Sequence, residues 1–196
     1  MKKHIHIAIV AITATTLLML SGCFVPEDYE ANVKVNDDRS YIFTYDGNLI
    51  FLLALDKALE EGLDQEDEAE LKEMEEEFKQ DPDVTKVEYI GNARYKVSVK
   101  KVGQPGEQYE FLEIFNIQTN NEGLLVISAH RPSEEDINEL KDMGIKMNGT
   151  LTVSVPRGIE VVEHNAESEP KLFGLLGSYK WELDSIADAN PYIVLK

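Results

Sequence analysis

Residues 93–102 read Ala-Arg-Tyr-Lys-Val-Ser-Val-Lys-Lys-Val, and this stretch decides the class of the fold. Tyr95, Val97 and Val99 fall on one side of an extended chain, and Lys96, Ser98 and Lys100 on the other. A period of two is the mark of a strand with one buried and one wet face. Just before it, Gly91-Asn92 separates this strand from another at Val84–Ile90. Just after it, Gln104-Pro105-Gly106 turns the chain, and Gln108–Thr119 and Leu124–Ala129 flank Asn120-Asn121-Glu122-Gly123 as a second hairpin. The expectation is a four-stranded antiparallel meander with one wet face.

Upstream the period changes to that of a helix. Asp64, followed by Asp67, forms a capping box with a shorter acid, opening a helix from Gln65 to about Gln80. Leu71, Met74 and Phe78 make its narrow apolar stripe, and Asp81-Pro82-Asp83 stops it. Before it, Leu49-Ile50-Phe51-Leu52-Leu53-Ala54-Leu55 leads on to Gly62. With Asn48 as N-cap and Leu52, Leu55 and Leu59 in helical register, this run reads as a helix apolar on all sides at its start. Val33–Thr44 reads as a hairpin around Asp37–Ser40. Downstream, Ser133 opens a short helix that Gly144 closes. Strands are then expected at Ile145–Val155, Ile159–Glu163, Tyr179–Asp184 and Pro191–Leu195. The fold class is α+β: antiparallel sheet or sheets packed with about three helices, after an N-terminal signal helix.

The N-terminus begins Lys2-Lys3, followed by an apolar run from Ile7 to Leu20 interrupted only by threonines. The run is too short for a spanning helix and fits a secretory segment. It ends Leu20-Ser21-Gly22-Cys23, which resembles the lipobox of bacterial lipoproteins. The resemblance implies diacylglyceryl transfer to the Cys23 sulfur, cleavage before Cys23 and acylation of the new amino group. It therefore implies a membrane held through lipidated Cys23. Phe24 rather than Asp follows, which resembles lipoproteins sent on to the outer membrane where the host has two. Cys23 is the only cysteine, so it forms no internal disulfide, and lipidation explains its presence in an exported chain. The expected organisation is a signal peptide (1–22), a flexible polar tether (23–32) and one domain (33–196).

The precursor carries 19 Lys+Arg and 37 Asp+Glu. Without residues 1–22, and hence without Lys2 and Lys3, 17 cations face 37 acids, a net charge of −20. Such a charge repels phosphate backbones, so nucleic acid is not an expected partner. It also repels anionic headgroups, so the domain body is expected to stand off the membrane.

A second resemblance lies near the C-terminus. The segment VSVPRGIEVVEHNA (153–166), followed by YKWELD (179–184) and a terminal apolar strand, is similar to LppM-like bacterial lipoproteins. It implies an α+β domain able to bind lipids or glycolipids, and it brings no catalytic residues. The central acidic helix departs from that pattern.

No residue set points to chemistry. The acidic run Glu60–Glu77 lacks the glycine of a calcium loop at Asp64-Gln65-Glu66-Asp67-Glu68-Ala69 and reads as a solvated helix face. His130 and His164 close strands but have no acid in register and no nucleophile elbow, and neither an H-E-x-x-H motif nor a P-loop occurs. Asn165 is expected to bond the backbone at its turn. Asn148-Gly149-Thr150 matches a glycosylation sequon but reads as a turn. No catalytic, metal or cofactor residue is assigned. The expected function is a non-catalytic module for a lipid or other hydrophobic ligand, met by Leu49, Phe51, Leu52, Leu172, Phe173 and Leu175, with a sheet closing over a cavity. The alternative is an envelope scaffold with a protein partner, and a hydrolase comes third.

Overall fold

The alternation around Val97 becomes an inner strand of a six-stranded sheet. The computed structural model describes residues 24–130, 133–171, 177–183 and 190–196. In chain order the elements are β1 (Phe24–Val35), β2 (Tyr41–Phe51), α1 (Leu52–Glu60), α2 (Gln65–Phe78), β3 (Val84–Gly91), β4 (Arg94–Gly103), β5 (Tyr109–Phe111), β6 (Phe115–Thr119), β7 (Leu125–Ala129), α3 (Glu134–Asp142), β8 (Gly149–Ser154), β9 (Val161–His164), β10 (Tyr179–Leu183) and β11 (Tyr192–Leu195). The first sheet runs β10-β8-β1-β2-β4-β3 and the second β5-β6-β7-β11-β9. Every pair of strands is antiparallel except β1 with β8. The protein is α+β, as expected. The expected signal peptide, its helix and Cys23 lie outside the described residues.

The expected meander divides between the sheets: β3 and β4 form a hairpin in the first, and the expected strand Gln108–Thr119 folds back on itself as β5 and β6, which continue into β7 in the second. β4 already pairs with β2 on one side and β3 on the other, so it offers no edge to the chain leaving Gly103. The turn at 104–106 therefore carries the chain across to the second sheet. One aromatic core fills the space between. Tyr29, Phe43 and Tyr45 of the first sheet meet Phe111 and Phe115 of the second, with ring centroids 5.0–6.4 Å apart. Ile117, Ile127, Ile193 and Leu195 extend this core. The opposite face of the first sheet is the wet one: Asn32, Lys34, Asp46, Lys96 and Lys100 are all exposed.

The expected tether is strand. Polar residues at 27–32 looked solvated, but Glu30 and Asn32 only occupy the outward side of β1, while Tyr29, Ala31 and Val33 face the core. A bulge between Glu27 and Glu30, with Asp28 at φ 49°, reverses the alternation and hides it from a simple period-two reading. Residues 24–32 thus belong to the first sheet.

The apolar run 49–55 also divides differently. Leu49, Ile50 and Phe51 end β2, all three pairing with β1 and the first two also with β4, and the helix starts only at Leu52. Asn48 is therefore a strand residue, and Phe51 precedes the helix without a side-chain cap. Nearer the C-terminus, β8 starts at Gly149 instead of Ile145. Ile145 is buried under α3, its N–H bonded to the Leu140 carbonyl. The Asn148-Gly149 step is the entry to β8, not a turn, and β9 starts at Val161.

Both capping boxes form. Asp64 accepts from the N–H groups of Glu66 and Asp67, while the Asp67 carboxylate accepts from the Asp64 N–H. Ser133 and Asp136 do the same for α3. Asp64→Ala is expected to lower stability by about 1 kcal/mol through unsatisfied helix donors, read as a lower urea midpoint at unchanged slope.

Candidate functional site

The three helices gather at one end of the first sheet, and that end holds the candidate surface. Val25 of β1, Ile50 of β2 and Ala93 of the β3–β4 turn meet Leu55 of α1, Leu71 of α2, Leu140 of α3 and Ile145 in a small cluster separate from the main core. Phe24 pairs with Phe51 at this same end, stacked at 5.1 Å, and Phe78 of α2 meets Phe24 edge-on at 5.2 Å. The first residues of β1 therefore lie beside the first turn of α1.

The expected ligand residues separate here. Leu49 is 1% exposed and belongs to the core, so it lines no surface. Phe51 and Leu52 are half-buried against the helical cluster. Leu172, Phe173 and Leu175 lie outside the described residues. Among the described residues, the space between the sheets where the cavity was expected holds aromatic rings in mutual contact. Exposed instead are Leu53 at 67% and Leu59 at 57%, both on α1, with Ile90 at 47% on the last residues of β3. The helical reading missed Leu53, although the signal was present. It stands two residues from the buried Leu55, about 200° around the helix, so it must point away from the core.

The carboxylates of α2 do not converge on a cation. Asp67 bonds Lys57 of α1 at 2.6 Å, and this hydrogen bond, followed by the one from the Asp64 N–H, holds its carboxyl below the ordinary range. Glu75 bonds Lys79 at 2.8 Å and also accepts the Tyr89 N–H, which lowers its carboxyl likewise. Glu68 accepts the Tyr89 hydroxyl, and burial, more than this bond, pushes that phenol up to about 12. Glu68 and Glu75 thus dock α2 on Tyr89 of β3, and Glu75 satisfies that residue's backbone N–H, while Asp67 ties α2 to α1. Among the described residues no group of three or more His, Cys, Asp and Glu is placed to hold a metal ion.

His130 and His164 fall at the same end of the second sheet, on chains flanking β11. His164 accepts the Ala166 N–H at Nδ1 and packs edge-on against Tyr179, with Glu169 at 3.8 Å from Nε2. Asn165 bonds more than its turn. Its Oδ1 accepts both the Trp181 indole N–H and the Tyr192 N–H at 2.9 Å, and its Nδ2 donates to the Asn190 carbonyl. Sequence reasoning also missed Glu27, which takes Arg94 at 3.3 Å and the Lys146 N–H across the wet face. No family model matches the chain, and no curated protein matches it.

Proposed function

We propose that the protein is a lipid-anchored, non-catalytic binding module of a bacterial envelope, held through Cys23 in the outer membrane where the host has two. Its ligand is a lipid or other hydrophobic group, met on the outside of the domain at the helical end. One observation carries this reading. Leu53 stays 67% exposed on the first turn of α1, next to half-buried Phe51 and Leu52 and beside Phe24, where β1 begins. Exposed apolar patches on an otherwise strongly acidic chain mark contact surfaces. The lipobox resemblance of Leu20-Ser21-Gly22-Cys23 supports the anchor.

The test has two arms in a bacterial host that processes lipoproteins. Cys23→Ser is expected to move the full chain from membrane to soluble fraction and to abolish labelling by radioactive palmitate. Lipid extracted from the purified full chain should be enriched in one class relative to the bulk membrane. That enrichment should fall to the bulk ratio in Leu53→Glu. A bulk-like lipid profile, with one protein trapped on the wild-type chain by crosslinking in cells, supports the scaffold alternative instead.

A further inference from the structure

Residues 165–168 join the last strand of one sheet to the last strand of the other. β9 ends the second sheet and β10 ends the first. On leaving β9 the chain runs along the outer edge of β10. Lys180 donates its N–H to the Ser168 carbonyl, and its own carbonyl takes the N–H groups of Glu167 and Ser168. The Glu167 carboxylate takes the Glu182 N–H. The segment thus supplies the partners that a terminal strand otherwise lacks.

His164 stands where that segment begins. It ends β9 opposite the buried Ile193 of β11, while its neighbour Glu163 points the other way and takes the Tyr192 hydroxyl. Its Nδ1 accepts the Ala166 N–H at 3.1 Å, so that nitrogen carries a lone pair and no proton. The proton of the neutral ring is then on Nε2, which faces the Glu169 carboxylate at 3.8 Å. Tyr179 of β10 packs edge-on against the ring at 4.7 Å. Among the described residues, Glu169 from the segment and Tyr179 from β10 are the titratable groups that meet the ring, and β11 presents only Ile193 to it.

We propose that His164 is a pH-sensitive latch: with Nδ1 bare it holds Ala166 and the segment on β10, and with Nδ1 protonated it releases Ala166, turns to Glu169 and loosens the cover on the outer edge of β10. The step moves one proton from water to Nδ1. Two N–H groups then face each other and neither can accept. The Ala166 bond exists only with the neutral ring, whereas the attraction of Glu169 exists only with the charged one. Acid thus replaces a bond at Ala166 by an ion pair at Glu169, beyond Glu167 and Ser168, whose hold on β10 must adjust to the exchange. Histidine is the side chain whose ordinary titration lies closest to neutral pH, which brings such an exchange within reach of modest acidification. The latch depends neither on the lipid anchor nor on the ligand of the helical end.

The test is nuclear magnetic resonance of the isotope-labelled full chain, taken from about pH 8 to about pH 5. The ring signal of His164 and the amide signal of Ala166 are expected to move with one midpoint, the amide upfield as its acceptor is lost. Hydrogen exchange at Ala166, corrected for the direct effect of pH, should speed up by about fivefold or more, the factor set by losing one ordinary hydrogen bond. The amides of Lys180 and Glu182 should follow at the same midpoint. His164→Asn offers an acceptor oxygen at the same distance along the side chain and does not titrate. It should keep the Ala166 amide near its alkaline position throughout and remove the transition at Lys180. Glu169→Gln takes away the partner of the charged ring and should move the midpoint to lower pH. A ring that titrates while Ala166 keeps its position and exchange rate overturns the latch, and so does a ring that does not titrate in this range. Movement of Ala166 without Lys180 and Glu182 leaves the edge covered and overturns the release. A transition that survives in His164→Asn belongs to another group and overturns it too. Should His164→Asn not fold, the wild-type titration decides alone.

Discussion

Gly149→Val is expected to cost about 3 kcal/mol or more, a large fraction of the stability of an ordinary domain. Gly149 opens β8 directly opposite Tyr29 in the parallel pair with β1. A Cβ built there would lie 2.6 Å from three atoms of the Tyr29 ring, a distance side chains do not tolerate. The ring has nowhere to retreat. It stacks on Tyr45 at 5.7 Å, meets Phe115 edge-on at 5.7 Å and is 4% exposed. On its other flank Gly47 of β2 is just as tight, since a Cβ there would lie 2.4 Å from the Tyr29 Cβ. Two glycines on the two neighbouring strands thus make one slot for one ring. The check is urea denaturation followed by circular dichroism. Combining Gly149→Val with Tyr29→Ala should cost less than the sum of the two changes, because the clash and the lost ring are a single event. A full additive loss would mean that the slot is not what excludes the side chain.

Asn165→Ala is expected to cost about 3 kcal/mol, since two donors lose their acceptor at once. Trp181 stands on β10 of the first sheet and is 3% exposed; Tyr192 begins β11 of the second. Both donate to the same Asn165 oxygen at 2.9 Å, so one amide ties the two sheets together beyond their apolar contact. Asn165→Asp keeps the acceptor and loses only the donor to Asn190, and should cost clearly less. Trp181 is the only tryptophan, which makes the readout local. In Asn165→Ala its emission should shift to the red at denaturant concentrations where far-ultraviolet dichroism is still native. An unshifted emission in Asn165→Ala would show that the indole keeps another partner.

The elements whose signals are local were legible in the sequence. The alternation at Tyr95, Val97 and Val99, the two capping boxes and the close of α1 at Gly62 depend on residues within a turn or two of one another. The misreadings came from partners far along the chain. Nothing near Gly103 says that both edges of β4 are occupied, because one of those edges is taken by β2, from about fifty residues earlier. Nothing near Glu30 says that β8 lies beside β1, because that pairing joins residues about 120 apart. The Leu49–Leu55 run shows the same limit. Its composition fits helix or buried strand equally, and only pairing with Pro26 and Tyr95 assigns Leu49 to β2. The candidate surface is half legible: the apolar run stands out in the sequence, but its composition does not separate Leu49, buried in the core, from exposed Leu53.

The position of β1 has a mechanical consequence. The first described residue, Phe24, opens a strand gripped along its length by β2 and over half of it by β8. A pull on the N-terminus along the strand axis loads those rungs together, in shear, instead of peeling them one after another. An envelope moves against what it is tied to, through growth, turgor and flow. A chain tied there at its N-terminus would bear that load across the centre of its larger sheet, so it should resist tension applied through the anchor far better than the same tension applied at Lys196, where β11 is four residues long.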